Sequence, residues 1–542
     1  MPCRGEYAVT EIQLSESYWP VDGTEPVLDT TCGGVLRAAA ERAADAVALI
    51  AGVPDPAGRR RISYAELLSE AERAARALLG RFAPGERVAV WAPNSPQWIV
   101  LQFGAALAGM TLVTVNPLYR AAELRHVLGQ SRAAGVFLVP AVRGVSTVDI
   151  LDEVGAELPA LRASVLLTDT EWAEFCASGS PTESLPQVDP GDPAQIQYTS
   201  GTTGFPKGAI IHHRGFTNNA RYVAAQLQLA AAEVLVNPMP LFHTAGCGSC
   251  TLGPIQAQAT QVLMPFFDPA LLLELNESER GAVFAGVPTM LLAALDHPDF
   301  PRRDLASTRL AFSGGTLVPP QLVRRVRQTL GIPFAIVYAQ TEASPVITGT
   351  RITDSPDDQA ETVGRPLPQT EVKIVDPATG QTTPPGRIGE ICTRGYHVMT
   401  GYFDHPEATA EAIDPDGWLH TGDLGSMDQR GYCRIEGRLK EMTIRGGENI
   451  YPREIEMVLL DHPAVADAAD AGIPDQRWGE QVAAFIRPAP GPAPDEADLT
   501  AFCRQRLASF KVPRFWQMLD TLPMTPSGKV QKFALRARMT TG

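Results

Sequence analysis

One stretch of the 542-residue chain carries a dense set of groups able to do chemistry: Tyr198-Thr-Ser-Gly-Thr-Thr-Gly-Phe-Pro-Lys-Gly208. Glycines at 201, 204 and 208 let backbone N–H groups approach an anion closely, and the hydroxyls of Thr199, Ser200, Thr202 and Thr203 add donors. Lys207 supplies a point charge, and a short apolar stretch precedes the loop. The phosphates of a nucleotide are the natural ligand. A Walker A loop needs a Gly-Lys pair followed by Ser or Thr. Here Lys207 stands between Pro206 and Gly208, so no hydroxyl lies beside it for a metal, and a P-loop NTPase is excluded. The lysine is itself informative. The chain has six lysines (Lys207, Lys373, Lys440, Lys511, Lys529, Lys532) and writes its other 40 cations as arginine, so each lysine invites a question. The one close cysteine pair, Cys247-Gly-Ser-Cys250, has no second pair at metal spacing and reads as two small buried residues.

The glycine-rich segment resembles the signature of the acyl-adenylate-forming (AMP-binding) superfamily, and further motifs follow in that superfamily's order. Each assignment below is what the resemblance implies. Thr199, Ser200, Gly201, Thr202, Thr203, Gly204 and Lys207 would hold ATP phosphates. Pro238-Met-Pro-Leu-Phe-His243-Thr-Ala-Gly246 resembles the segment lining the acyl pocket, with His243 against the substrate. Phe312-Ser-Gly-Gly-Thr316 would place Gly314, Gly315 and Thr316 against adenine; Thr316 stands where relatives usually have Ala. In Tyr338-Ala-Gln-Thr-Glu342 the ring of Tyr338 would stack on adenine, Thr341 would bond a phosphate or the substrate, and Glu342 would hold Mg²⁺. Ala339 replaces the usual glycine at a position facing the acyl pocket, which disfavours acetate and leaves room for a medium-chain or aryl acid.

Toward the C-terminus, Gly417-Trp-Leu-His-Thr-Gly-Asp423 would bring Asp423 to the ribose hydroxyls, with Arg438 reaching ribose or phosphate. Lys440 matches the hinge about which a small C-terminal domain turns; side-chain identity matters little there. Gly446 and Gly447, in Arg445-Gly-Gly-Glu-Asn-Ile-Tyr-Pro452, would border the pantetheine tunnel, and Lys511 is a candidate for the CoA phosphates. Lys529, in Pro523-Met-Thr-Pro-Ser-Gly-Lys529, matches the catalytic lysine. The chain thus looks most like medium-chain fatty acyl-CoA synthetases. The expected reaction joins a carboxylic acid to AMP with release of pyrophosphate, then passes the acyl group to CoA. The cofactors implied are ATP, Mg²⁺ and coenzyme A. A carrier-protein thiol or an amine as acceptor, or nitrite as the activated acid, stays open as an alternative.

These residues need a scaffold. Amphipathic helices alternate with short β-branched runs: helix 64–80, strand 87–91, helix 96–108, strand 111–115, helix 121–130, strand 135–139, and a second series from Val234 to Tyr338. Strands separated by helices imply parallel sheets. The apolar stretch Trp98–Val115 nearly reaches membrane-spanning length, but glycines punctuate it and Asn116-Pro117 ends it, so a buried helix followed by a strand is expected. From about Val363 short strands and Gly/Pro turns suggest a small β-barrel or sheet. After Gly437 a helix at 452–461, a strand near 481–486 and a helix at 496–507 form another α/β pattern. The expected fold class is α/β. It comprises an N-terminal domain (1–439) of two α/β subdomains plus a small β-barrel, and a mobile α+β C-terminal domain (440–542). A net charge of −15 excludes a nucleic-acid binder, which needs a basic face. Partners are expected to be the acid, ATP and CoA, with no integral membrane association and a homodimer left open. Scattered cysteines and a polar N-terminal stretch lead to the expectation of a cytoplasmic location.

Overall fold

The computed structural model describes residues 13–23, 25–199, 206–446, 448–524 and 530–540. The chain packs as two compact units: one of Pro20–Val372 and Thr393–Leu419, the other of Met1–Trp19, Lys373–Cys392 and His420–Gly542.

Among the described residues the larger unit holds two large sheets and the small two-stranded ribbon Ala141–Val142 with Val145–Ser146. The first has seven strands, in the order Gly401–Tyr402, Lys207–His212, Pro193–Thr199, Thr111–Thr114, Arg87–Trp91, Gly135–Leu138 and Ala163–Leu166. Its last five strands run parallel and the first two antiparallel. The second has nine strands, with a parallel centre formed by Phe334–Ala339, Leu310–Gly314, Gly281–Ala285, Val234–Asn237, Thr260–Leu263 and Val47–Ala51. Helices start where the sequence supplies caps. Ser63 accepts from the Glu66 N–H while Glu66 returns to the Ser63 N–H, a capping box that opens helix Tyr64–Leu79. Ser95 caps Pro96–Leu107, with proline in the first turn, where its missing N–H costs nothing. Every residue from Trp98 to Leu107 is buried, and the strand Thr111–Thr114 that follows is buried throughout. The long apolar stretch is therefore core. Burial of each large side chain such as Trp98 or Phe103 is worth about 1.5–3 kcal/mol. Among the described residues no helix is long and apolar enough to cross a membrane.

The other unit contains two five-stranded sheets. The stretch expected to form a small barrel contributes to the first, in the order Tyr18–Trp19, Thr370–Val375, Gly389–Gly395, Leu419–Met427 and Cys433–Arg438. In the second, Gly479–Pro488 lies between Thr443–Arg445 and Val465–Asp475, and Phe515–Met518 pairs with it in parallel. Alternation along Gly479–Pro488 builds a core on each face. Val482, Ala484 and Ile486 pack with Ile455, Leu459 and Leu499, from helices Pro452–Leu460 and Glu496–Arg504. Ala483 and Phe485 pack with Leu535 of helix Lys532–Thr540.

Candidate active site

The glycine-rich segment begins and ends in strand. Pro193–Thr199 pairs antiparallel with Lys207–His212, with Thr199 opposite Lys207, and Thr199 Oγ donates to the Lys207 carbonyl at 3.4 Å. This hairpin fixes the two ends of the expected phosphate loop. Ser200, Gly201, Thr202, Thr203 and Gly204 lie outside the described residues.

Beside the hairpin sits an aromatic residue that sequence reasoning gave no role. Tyr402 pairs in register with Ala209. Its hydroxyl donates to Glu342 Oε1 at 2.8 Å, and the Lys207 ammonium lies 5.1 Å from its ring centroid. Burial first, and the Glu342 carboxylate second, push the Tyr402 phenol well above its usual range, so it stays a donor at any working pH. Glu342 lies in the short helical turn Thr341–Ala343, directly after strand Phe334–Ala339, and its carbonyl accepts from the Met399 N–H at 2.8 Å. Expected phosphate cation and expected metal ligand are thus linked through one phenol. Glu342, partly buried, offers oxygen donors of the kind Mg²⁺ prefers, and one carboxylate plus phosphates is its usual way of being held. The residues fit that ion.

Strands Leu310–Gly314 and Phe334–Ala339 run side by side, pairing Gly314 with Val337. This brings Gly314, Gly315 and Thr316 beside Tyr338 and Ala339 at the carboxyl ends of parallel strands, where α/β sheets bind ligands. Gly314 has a local reason as well. A Cβ there would lie 2.6 Å from both the Val337 side chain and its carbonyl oxygen. Gly315 turns the chain with φ +78°, in the region that favours glycine. Tyr338 is buried, and Ala339 packs with Met239 against a cluster containing Leu235, Val283, Phe312 and Val337. His243 stands against Phe242 with ring centroids 4.2 Å apart, and its carbonyl accepts from the Cys247 thiol at 3.3 Å. Cys247 and Cys250 are fully buried in the wide-turned helix Ala245–Leu252, as the sequence suggested, and burial pushes both thiols up to about 12.

In the other unit, strands Leu419–Met427 and Cys433–Arg438 pair Asp423 with Arg438, whose Nε lies 3.1 Å from Asp423 Oδ1. Asp423 is buried and Arg438 partly exposed. Lys440 occupies the turn Leu439–Glu441. Gly446 has φ +60°, and a Cβ there would meet the Trp478 ring at 2.8 Å; Gly447 lies outside the described residues. Lys511, the candidate for CoA phosphates, sits on both oxygens of Glu454, at 2.6 and 2.8 Å. Lys529 also lies outside the described residues, between Met524 and Val530, which form a β-bridge. Lys532, partly buried, lies 2.7 Å from Glu456 and 3.5 Å from Glu441.

A phosphate hairpin, a carboxylate on a strand-end turn and a second unit built of small sheets define an adenylate-forming enzyme. The chain matches the family model for AMP-binding enzymes over residues 36–403 and that for the AMP-binding enzyme C-terminal domain over 454–529, and it belongs to that family. It is 41% identical to the protein YngI of Bacillus subtilis (strain 168), over 94% of this chain and 97% of that one. It is 38% identical to the mitochondrial medium-chain acyl-CoA ligase ACSF2 of Rattus norvegicus, over 88% of this chain and 83% of that one. Among solved structures, ATP-bound MatB from Rhodopseudomonas palustris superposes with a TM-score of 0.86 at 30% identity, covering 94% of this chain and 99% of MatB. The anthranilate CoA ligase AuaEII with anthranoyl-AMP gives 0.85 at 27% identity, over 95% and 98%. The chain is an AMP-forming acid–CoA ligase.

Proposed function

We propose that this ligase activates a medium-chain aliphatic acid, or an aryl acid of similar girth. The observation that carries the reading is the similarity to ACSF2 over 88% of the chain. The apolar surround of Ala339 and Met239 supports it, because an alkyl or aryl group gains by leaving water there. In the first half-reaction the acid's carboxylate attacks the α-phosphate of ATP and pyrophosphate leaves. Charge builds on the phosphate oxygens, so catalysis is positioning plus electrostatic stabilisation. Lys207 and Lys529 supply positive charge, Thr341 a hydroxyl, and Tyr402 orients Glu342. Mg²⁺, when held by Glu342, neutralises phosphate charge. Tyr338, with Gly314, Gly315 and Thr316, takes the adenine; Asp423 and Arg438 take the ribose. In the second half-reaction the CoA thiol attacks the acyl-adenylate carbonyl and AMP leaves. The thin backbone at Gly446 and Gly447 admits pantetheine. The segment beyond 439 turns about Lys440 between the two halves, so the functional boundary falls there.

Pyrophosphate release across a panel of acids, with and without CoA, tests the reading. Highest kcat/KM for C6–C12 or benzoate-type acids, and AMP release that requires CoA, are the expected results. Preference for acetate, or AMP release that requires an amine in place of CoA, would refute it.

A further inference from the structure

A buried carboxylate sits on the strand next to the one that carries Asp423. Glu390 and Cys392, two apart on Gly389–Gly395, share one face of the sheet, and His420 lies on the neighbouring strand Leu419–Met427. Glu390 spends both oxygens on that strand's first residues: Oε2 lies 2.8 Å from His420 Nδ1, and Oε1 accepts the Gly422 N–H at 3.1 Å. A side-chain hydroxyl ties the same two strands again. Thr421 Oγ donates to the Ile391 carbonyl at 2.7 Å and accepts the Asp423 N–H at 3.1 Å. Gly422 has φ +68°, a local irregularity in the strand that favours glycine and is held by these bonds on either side.

The charge that closes the clamp is a proton on the imidazole. The Cys392 sulfur, 3.5 Å from Nδ1, and the Glu390 carboxylate raise the His420 pKa to about 10. Burial raises the Cys392 thiol, and its hydrogen bond to His420 works the other way. The three side chains bring donor atoms within 4.8 Å of one another, close enough for a metal ion.

We propose that Glu390 and the His420 imidazolium clamp the opening of strand Leu419–Met427, residues 420–423, which makes both of them positioning residues for the nucleotide ribose held by Asp423. The inference rests on the reading of Asp423 as the ribose ligand. Placing a carboxylate on two hydroxyls tolerates only about 0.5 Å of error, and the clamp holds the strand segment that carries Asp423 to its neighbour. Since the His420 pKa is raised, the clamp is complete below the ordinary histidine value and is lost as pH climbs through about 10.

KM for ATP, KM for the acid and kcat are measured for the full chain and for D423N, E390Q and H420Q, with ATP KM followed from pH 6 to 10.5. For D423N, ATP KM is expected to rise at least about tenfold, the loss of charge-assisted hydrogen bonds. For E390Q and H420Q it should rise about three- to tenfold, with acid KM unchanged and kcat within about twofold, and E390Q/H420Q should equal either single variant. In the parent, ATP KM should hold level to about pH 9 and rise beyond, with one histidine NMR resonance, absent in H420Q, titrating above pH 8. That NMR titration needs no variant with altered packing except for assignment. If D423N leaves ATP KM unchanged, the ribose reading falls and the clamp's purpose with it. If D423N raises it and E390Q does not, the clamp alone is refuted. A His420 that titrates near 6.5, or one Zn²⁺ bound per chain and lost in E390Q, also overturns it.

Discussion

Replacing Lys532 by methionine tests the packing of the C-terminal segment. The Lys532 ammonium lies 2.7 Å from Glu456 and 3.5 Å from Glu441, with its side chain 16% exposed and those of its partners 15% and 28%. Asp470, fully buried beside it, has its pKa pushed well above the usual carboxylate range by burial. At an effective dielectric of about 20, the two ion pairs amount to about 6 and 5 kcal/mol of Coulomb energy. Removing three charges from water offsets much of that. Methionine keeps the apolar stem but leaves two half-buried carboxylates facing each other, a change that costs about 3–5 kcal/mol. Hydrogen exchange read by mass spectrometry should show this as lost protection in helix Lys532–Thr540 and strand Val465–Asp475, with little change in Arg87–Trp91. The double variant K532M/E456Q should recover a substantial part, because it removes a stranded charge. A loss below about 1 kcal/mol, or simple additivity in the double variant, would refute the account of a buried, mutually dependent cluster.

Tyr402→Phe removes the donor to Glu342 and keeps the ring beside Lys207; adenylation kcat/KM should fall about 10- to 100-fold, the worth of a hydrogen bond to a charged group, with little change in melting temperature. An unchanged ATP–pyrophosphate exchange rate would remove Tyr402 from the site. Lys529→Ala should lower adenylation at least about a hundredfold, roughly 3 kcal/mol of transition-state stabilisation, and still convert supplied acyl-adenylate to thioester. Equal loss in both halves would end its assignment. Lys440→Pro, which fixes φ in the turn Leu439–Glu441, should block thioester formation and spare adenylation; normal overall turnover would remove Lys440 as the hinge.

Local features of the sequence were legible where one residue type does one job. Ser63 and Ser95 mark helix starts by their own hydroxyls, and the helix 96–108 and strand 111–115 appear within a residue or so of their observed ends. Strand Val465–Asp475 could not be read that way. Its sequence, Val-Ala-Asp-Ala-Ala-Asp-Ala-Gly-Ile-Pro-Asp, is rich in residues that strands avoid. What holds it is ten paired positions with Gly479–Pro488, the strand that follows it, and packing into the cores on both faces, neither of which residue propensities show. The site divides likewise. Glycine, hydroxyl and lysine in one loop announce phosphate chemistry from composition alone. The Tyr402–Glu342 bond joins residues 60 positions apart, and the Glu390–His420 pair spans 30, so only the sheets bring them together. The motif Trp-Leu-His-Thr-Gly-Asp423 draws attention to its last residue, whereas the histidine three earlier is what the neighbouring strand grips.

Scarcity of lysine in an arginine-rich chain pointed toward function, and the structure divides that signal in two. Lys207 stands at the phosphate hairpin against Tyr402, as a residue meant for a ligand would. Lys511 and Lys532 instead complete ion pairs inside the C-terminal segment, the first with Glu454 and the second with Glu456 and Glu441. Both reasons select the same chemistry. A compact ammonium on a flexible stem can meet oxygens arriving from different directions, which a planar guanidinium fork does less well. Glu441 and Glu456 approach Lys532 from a turn and a helix, a geometry for a point charge. The acceptor, not the cation, therefore separates the proposed roles: a lysine already saturated by carboxylates of its own unit reads as structural, and Lys207, facing the Tyr402 phenol, is the one proposed for substrate. By that criterion Lys511 has no free charge for CoA while Glu454 is in place, and Glu454→Gln should tighten CoA binding only if Lys511 is the phosphate ligand. An unchanged CoA KM in that variant would assign Lys511 to the fold alone.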